Sequence, residues 1–189
     1  MSTTALLVMD VQNGIVERIA DGSAALLDRV AAAADHARAS GLPVVYVRVA
    51  FRPGGGDINP RNRAFSSLGG RTDLSVDDAG TQIHAAVAPA PGDVVVVKKR
   101  VSAFAGSDLD VVLRSLDASS LILAGIATSG VVLSTLRQAA DLDFGLTVLA
   151  DACADQDPEV HRVLLEKVFP RQATVLTTDD WIAAGPAPT

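Results

Sequence analysis

Six short apolar runs punctuate the chain, at residues 5–9, 44–49, 94–97, 121–124, 146–150 and 174–176. Val, Ile and Leu dominate them, and polar residues do not alternate with apolar ones. Strands buried on both faces of a parallel sheet have this appearance. Between the runs the period changes. Leu26, Leu27, Val30, Ala33, Ala34 and Ala37 recur at three-to-four spacing, and Gly41 follows as a stop. Ser107 precedes Leu109, Val111, Val112 and Leu113, with Asp110 three positions on, which predicts a helix opening on a near capping box. Asp157-Pro158-Glu159 supplies an N-cap, a proline for the first helical position and a first-turn acid. Val160, Val163, Leu164 and Val168 then form a stripe that Pro170 is expected to end. Strand and helix signals in alternation predict an α/β fold, a parallel sheet with helices on both faces.

One stretch breaks this rhythm. Residues 51–80 carry Pro53, Gly54, Gly55, Gly56, Pro60, Gly69, Gly70 and Gly80 with little apolar content. A segment of that length is either a lid or partner-binding arm, or a plain surface insertion. The expected organisation is a single domain over 1–184 with a flexible tail at 185–189, in line with about 100–200 residues per domain.

Composition narrows the function classes. Apolar residues make up 49% and charged ones 20%, which excludes a disordered chain. Sixteen Lys and Arg against 22 Asp and Glu leave a net charge of −6, so phosphate backbones are repelled and nucleic acid is not the expected partner. No basic segment precedes the first apolar run, and no run approaches the roughly 18–20 residues needed to span a bilayer. A cytoplasmic protein without a membrane partner is expected. The one cysteine, Cys153, makes neither an internal disulfide nor a multi-thiolate zinc site, and His36, His84 and His161 have no metal-ligand spacing. No metal or cofactor is expected.

In open parallel sheets, ligands sit beyond the carboxyl ends of the strands. Asp10 ends the first run, followed by Gln12-Asn13-Gly14. Lys98-Lys99-Arg100 ends the third, residues 125–130 the fourth and Asp151 the fifth. A carboxylate after a strand is also a common turn former. The chain has three lysines against thirteen arginines, and two stand together at 98 and 99. Lysine is a compact charge tuned by burial, yet such a pair also serves as one solvated charge and one ion pair. The 125–130 segment fits neither phosphate-loop pattern. Its small residues make a tight strand-to-helix turn, which either aims N–H groups at developing negative charge or merely relieves crowding.

Three motifs together resemble the isochorismatase-like hydrolase superfamily, which includes cysteine hydrolases, nicotinamidases and N-carbamoylsarcosine-type amidases. They are Leu6-Leu7-Val8-Met9-Asp10-Val11-Gln12-Asn13, then Val97-Lys98-Lys99-Arg100-Val101-Ser102-Ala103-Phe104 with Asp108-Leu109, and Gly125-Ile126-Ala127-Thr128-Ser129-Gly130. The late Asp151 and His161-Arg162 extend the likeness over nearly the whole chain. The resemblance implies a three-layer α/β/α, Rossmann-like domain whose six-stranded parallel sheet has the order 3-2-1-4-5-6. It also implies a small-molecule substrate and self-association as a dimer or tetramer. Asp10 matches the family's general acid or base and Lys98 its supporting lysine. Gln12, Phe104, Ala127, Thr128 and Ser129 are the matching substrate-binding candidates, and a cis Ile126–Ala127 peptide is expected.

The nucleophile position, counted from residues 125–128, falls on Val131, which has no nucleophilic atom. Cys153 lies beyond the next strand and reads as a small buried residue. Isochorismatases proper also lack a nucleophile, carrying glycine there. An aspartic acid protonates a vinyl ether carbon and water completes the hydrolysis, which needs an acid of raised pKa. Burial raises a carboxyl pKa and Lys98 lowers it, so the sign for Asp10 is open. The zinc ligands of nicotinamidases are not matched: residues 50–80 contain no histidine, and Asp57 with Asn59 does not suffice. Arg52, Arg61, Asn62 and Arg63 read either as an anion site or as a solvated face. Asp141 and Asp143 read as a helix end and turn. The expected function is hydrolysis of a small organic molecule by non-covalent acid/base chemistry. Its rival is a catalytically silent binding or oligomeric protein on the same fold.

Overall fold

The first strand explains why its apolar run does not alternate. In the computed structural model, which describes residues 3–19, 23–66 and 74–185, Ala5, Leu7 and Met9 enter one hydrophobic core while Leu6 and Val8 enter another. Both faces are covered, so every position from Ala5 to Met9 is apolar.

In chain order the elements are β1 (Thr3–Met9), α1 (Asn13–Val16), α2 (Ser23–Ala39), β2 (Val44–Val49), α3 (Arg63–Ser66), β3 (Val94–Lys98), α4 (Leu109–Ser115), β4 (Ala118–Ile126), α5 (Leu133–Asp141), β5 (Gly145–Ala154), α6 (Pro158–Val163), β6 (Thr174–Leu176) and α7 (Thr178–Ala184). The sheet is six-stranded and parallel, in the expected order 3-2-1-4-5-6. The apolar stripe of α2 and Trp181 of α7 fill one core. Leu109 and Leu113 of α4, Leu136 and Ala139 of α5, and Leu164 fill the other. Three layers result. No helix among the described residues is long and apolar enough to cross a membrane.

Local chemistry sets the helix ends. Past α2, the Leu42 N–H donates to Ala37 O at 2.8 Å while Gly41 takes φ 71°, a left-handed C-terminal closure that glycine adopts without penalty. The Ser107 hydroxyl accepts from the Leu109 N–H at 3.3 Å and donates to Ala103 O, whereas Asp108 at the cap position makes no side-chain cap bond. Asp157 caps α6 by accepting from the N–H groups of Glu159 and Val160.

The structure differs from the sequence pattern in three places. The stripe after Asp157 leaves α-helical geometry at Val163 and continues as a π-helical turn, Leu164–Val168. Pro170 does not stop it but sits inside a following 3-10 turn, Phe169–Arg171, at a position where its missing N–H costs nothing. Strand β5 runs on to Ala154, so Asp151 and Cys153 lie within it, not past it. Asp151 is tolerated there because its Oδ1 accepts from both the N–H and the hydroxyl of Thr178, at 2.7 and 2.8 Å.

The arm at 51–80 is locally ordered where described. Phe51 bridges to Ser75, and helical turns form at Pro53–Gly55, α3 and Ala79–Thr81. The Gln12 amide holds its base: Nε2 donates to Val49 O at 2.9 Å and Thr81 O at 2.7 Å, and Oε1 accepts from the Val49 N–H at 2.8 Å. Of the expected tail, residues 186–189 lie outside the described residues.

Candidate functional site

The chain leaves β1 at Asp10 in a left-handed conformation, φ 56°, with its N–H donating to Val47 O at 2.8 Å. Among residues with a Cβ, aspartate is one of the few that tolerate this region. The Asp10 Oδ2 lies 2.7 Å from the Lys98 Nζ at the end of β3. Lys98 also donates to Arg100 O at 3.1 Å and Val101 O at 2.8 Å, so its three N–H donors are all engaged. Asp10 is 5% exposed and Lys98 2%. Burial pushes the Asp10 carboxyl up to about 6, against the charge and hydrogen bond of Lys98, which pull it down. Desolvation therefore decides the sign that the sequence left open. The other oxygen, Oδ1, is buried and has no hydrogen-bond partner among the described residues.

Strand β4 ends beside this pair. Gly125 there has φ 146°, and a Cβ would stand 2.1 Å from Met9 O, so only glycine lets β4 pass so close to the end of β1. The Ile126–Ala127 peptide is cis, as the resemblance implied. Ala127 O accepts from the N–H groups of Gly130 and Val132 at 3.0 and 3.3 Å, and Thr128–Val132 form a π-helical turn leading into α5. Two contacts hold the turn against α6 and its approach. The Ser129 N–H donates to Asp155 Oδ2 at 2.7 Å, and Thr128 Oγ1 lies 2.8 Å from His161 Nδ1.

Together these groups enclose a cavity of about 390 Å³, a size suited to a small organic ligand. Asp10, Lys98, Ala127, Ser129 and Val131 all line it. Phe51, Phe65 and Leu74 of the arm, with Ile15 and Ile19, add an apolar wall. The arm thus contributes to the site instead of merely decorating the surface.

Three of the sequence candidates lie elsewhere. Gln12 is 1% exposed and spends its amide on the base of the arm. Phe104 packs on the core under the sheet, its ring 6.3 Å from that of Phe144. Thr128 is fully buried and faces His161. Arg52, Arg61 and Arg63 of the arm are not in the described wall either: Arg52 pairs with Asp57 at 3.6 Å, while Arg61 and Arg63 are exposed. Asp57 accepts from the Arg52 N–H and lies 4.0 Å from the Lys99 ammonium, a setting that does not fit a zinc ligand. Cys153 is buried within β5 opposite Gly125, outside the cavity wall, and burial pushes its thiol up to about 12.

Sequence reasoning missed Arg18 and Asp155, both in the wall. Arg18 follows Ile15 at helical spacing, a signal that could have placed it. Asp155 was hidden because the apolar run breaks at Asp151; the true strand end at Ala154 makes it a strand-end carboxylate like Asp10.

Comparison with known proteins identifies the family and the fold. The isochorismatase domain family matches residues 4–180. The ureidoacrylate amidohydrolase RutB of Methylobacterium radiotolerans is 34% identical over 191 residues, covering 88% of this chain and 73% of that protein. An uncharacterized isochorismatase family protein of Bacillus subtilis, YwoC, is 31% identical over 179 residues, covering 95% and 92%. Among solved structures, an isochorismatase family protein from Burkholderia thailandensis superposes with TM-score 0.86 at 31% identity, covering 96% of this chain and 95% of that one. The N-carbamoylsarcosine amidase from Thermoplasma acidophilum superposes with TM-score 0.76 at 26% identity, covering 94% and 97%.

Proposed function

Because the chain belongs to the isochorismatase family of hydrolases, we propose that it hydrolyses a small organic molecule by acid/base chemistry at Asp10, without a thiol nucleophile. The observation that carries this reading is the state of Asp10. Its carboxyl is buried at a cavity wall and pushed up to about 6, with one oxygen held by Lys98 and the other unpartnered. A carboxylic acid of that pKa holds a usable proton near neutrality, as a general acid must. Lys98 keeps Oδ2 as an acceptor, so the transferable proton belongs on Oδ1.

Val131 takes the place of the nucleophilic cysteine in this reading. It is a cavity residue with no nucleophilic atom, and the chain's one thiol is buried outside the cavity wall. The amidohydrolase and amidase among the relatives suggest amide substrates. The acid chemistry of Asp10 suits an enol ether better: protonation of the vinyl carbon gives an oxocarbenium ion that water captures.

The test is turnover of 4-nitrophenyl vinyl ether, 4-nitrophenyl acetate and 4-nitroacetanilide, followed by nitrophenol or nitroaniline release. Vinyl ether hydrolysis is expected, with Asp10→Asn lowering kcat by roughly 10²–10⁴-fold, as loss of a general acid does. A second reading, a catalytically silent small-molecule-binding protein, is favoured by Val131. Binding of the vinyl ether without turnover of any of the three compounds would establish it instead.

A further inference from the structure

Hydrolysis without a covalent intermediate needs one group to give a proton and another to take one from water. Asp10 in its protonated form meets the first need alone, with one oxygen pinned to Lys98. The cavity wall holds a second carboxylate, Asp155. Asp10 closes β1 and Asp155 follows β5, and β4 with its turn lies between them in the sheet.

Asp155 is oriented by the backbone. Its Oδ2 accepts from the Ser129 N–H at 2.7 Å and its Oδ1 from the Asp157 N–H at 3.3 Å. A carboxylate oxygen has two acceptor sites, so each of these bonds leaves one for a further partner. Asp155 also lines a second cavity, about 330 Å³, together with Arg29, Asp151 and His161. The rest of that wall is apolar, Leu26, Cys153 and Pro158 among it. Ile19 and Asp155 are the two described residues that border both cavities.

We propose that Asp155 is the catalytic base, directing a water molecule at the substrate in the cavity it shares with Asp10. The inference rests on the acid role of Asp10. Asp10 delivers its proton to the vinyl carbon, and the ether oxygen's lone pair stabilises the cation formed at the adjoining carbon. The water oxygen bonds to that carbon as its proton passes to Asp155, giving a hemiacetal. Its C–O bond to the leaving group then breaks. Asp155 returns the proton to the departing oxygen while Asp10 takes the hydroxyl proton. With 4-nitrophenyl vinyl ether the products are 4-nitrophenol and acetaldehyde, and both carboxyl groups regain their starting states.

The competing role for Asp155 is to anchor the Ser129 N–H, and Asp155→Asn separates the two. Asparagine keeps an oxygen for that N–H and removes the basicity. On 4-nitrophenyl vinyl ether, Asp155→Asn is expected to lower kcat by about 10²-fold with KM little changed. Formate is expected to restore part of the rate in Asp155→Ala, as an external carboxylate that an anchor would not need. An unchanged kcat in a folded Asp155→Asn protein overturns the base role and leaves the acid role of Asp10 standing. If circular dichroism shows Asp155→Asn unfolded, Asp155→Ala decides: no response to formate overturns the proposal. Absence of turnover by the wild-type protein overturns the acid/base reading itself, and this inference with it.

Discussion

At Asp10 two opposing effects act on one carboxyl. The Lys98 ammonium favours the ionised form, and removal from water disfavours it more, leaving a pKa of about 6 against the usual 3.8. The consequence for rate has a definite sign. A general acid works in its protonated form, so kcat with the vinyl ether should fall as pH rises through about 6, approaching a tenfold loss per unit above it. A kcat that instead rises with pH through this window would assign Asp10 as a base. The same shift bears on stability. The folded state binds this proton more tightly than the unfolded state, so the contribution is fully present below pH 3.8 and is lost as pH rises through about 6. The span is about 3 kcal/mol, from roughly 1.4 kcal/mol per pKa unit. Urea unfolding at several pH values should show wild type gaining stability relative to Asp10→Asn between pH 7 and pH 4. A difference that stays constant over that range would remove the linkage. The partnership of Asp10 and Lys98 was legible in the sequence through the family resemblance, since each residue taken alone also fits a turn or a solvated charge. The sign was not, because it depends on how completely the surrounding chain excludes water.

The elements around the site depend on close backbone approach. Gly125 is the tightest case. An added Cβ would meet Met9 O at 2.1 Å and Met9 C at 2.9 Å, atoms of a central strand that cannot swing aside as a side chain could. Gly125→Ala is therefore expected to cost several kcal/mol, well beyond the ~1 kcal/mol of a typical substitution. A thermal unfolding midpoint within a few degrees of wild type would show that β1 and β4 can separate at low cost. The cap of α6 sets a milder scale: Asp157→Ala loses two N–H partners and should cost about 1 kcal/mol. The central strands were readable as apolar runs because burial on both faces leaves little room for polar residues, and the edge strands β3 and β6 kept the same apolar character although Val95 and Thr174 are exposed. The length of β5 was not, since Asp151 is made acceptable by Thr178, 27 residues away. The order in the 51–80 arm was hidden for the same reason. It is held by Gln12, and bonds spanning 37 and 69 residues leave no local pattern.

Across the whole molecule, the open sheet places acid, lysine, turn and second carboxylate at one edge because every strand points the same way. The chain's single thiol lies in that sheet too, but as part of its interior. Cys153 is paired with β4, buried, and held protonated by a pKa near 12. Alkylation requires the thiolate, and burial holds Cys153 in the thiol form although it borders the second cavity. Native protein treated with iodoacetamide at pH 7–8 should thus keep an unmodified Cys153 and its full activity. Cys153 lies in β5 beside β4 and is 5% exposed, so full exposure of the sulfur is expected to accompany unfolding of the sheet. Labelling should appear only as urea populates the unfolded chain, with a midpoint matching that of circular dichroism. Rapid labelling without denaturant, accompanied by loss of turnover, would place the sulfur in contact with the chemistry and bring back the covalent mechanism. Slow labelling that tracks unfolding, with activity intact until then, would leave the two carboxylates and a water from solvent to account for hydrolysis.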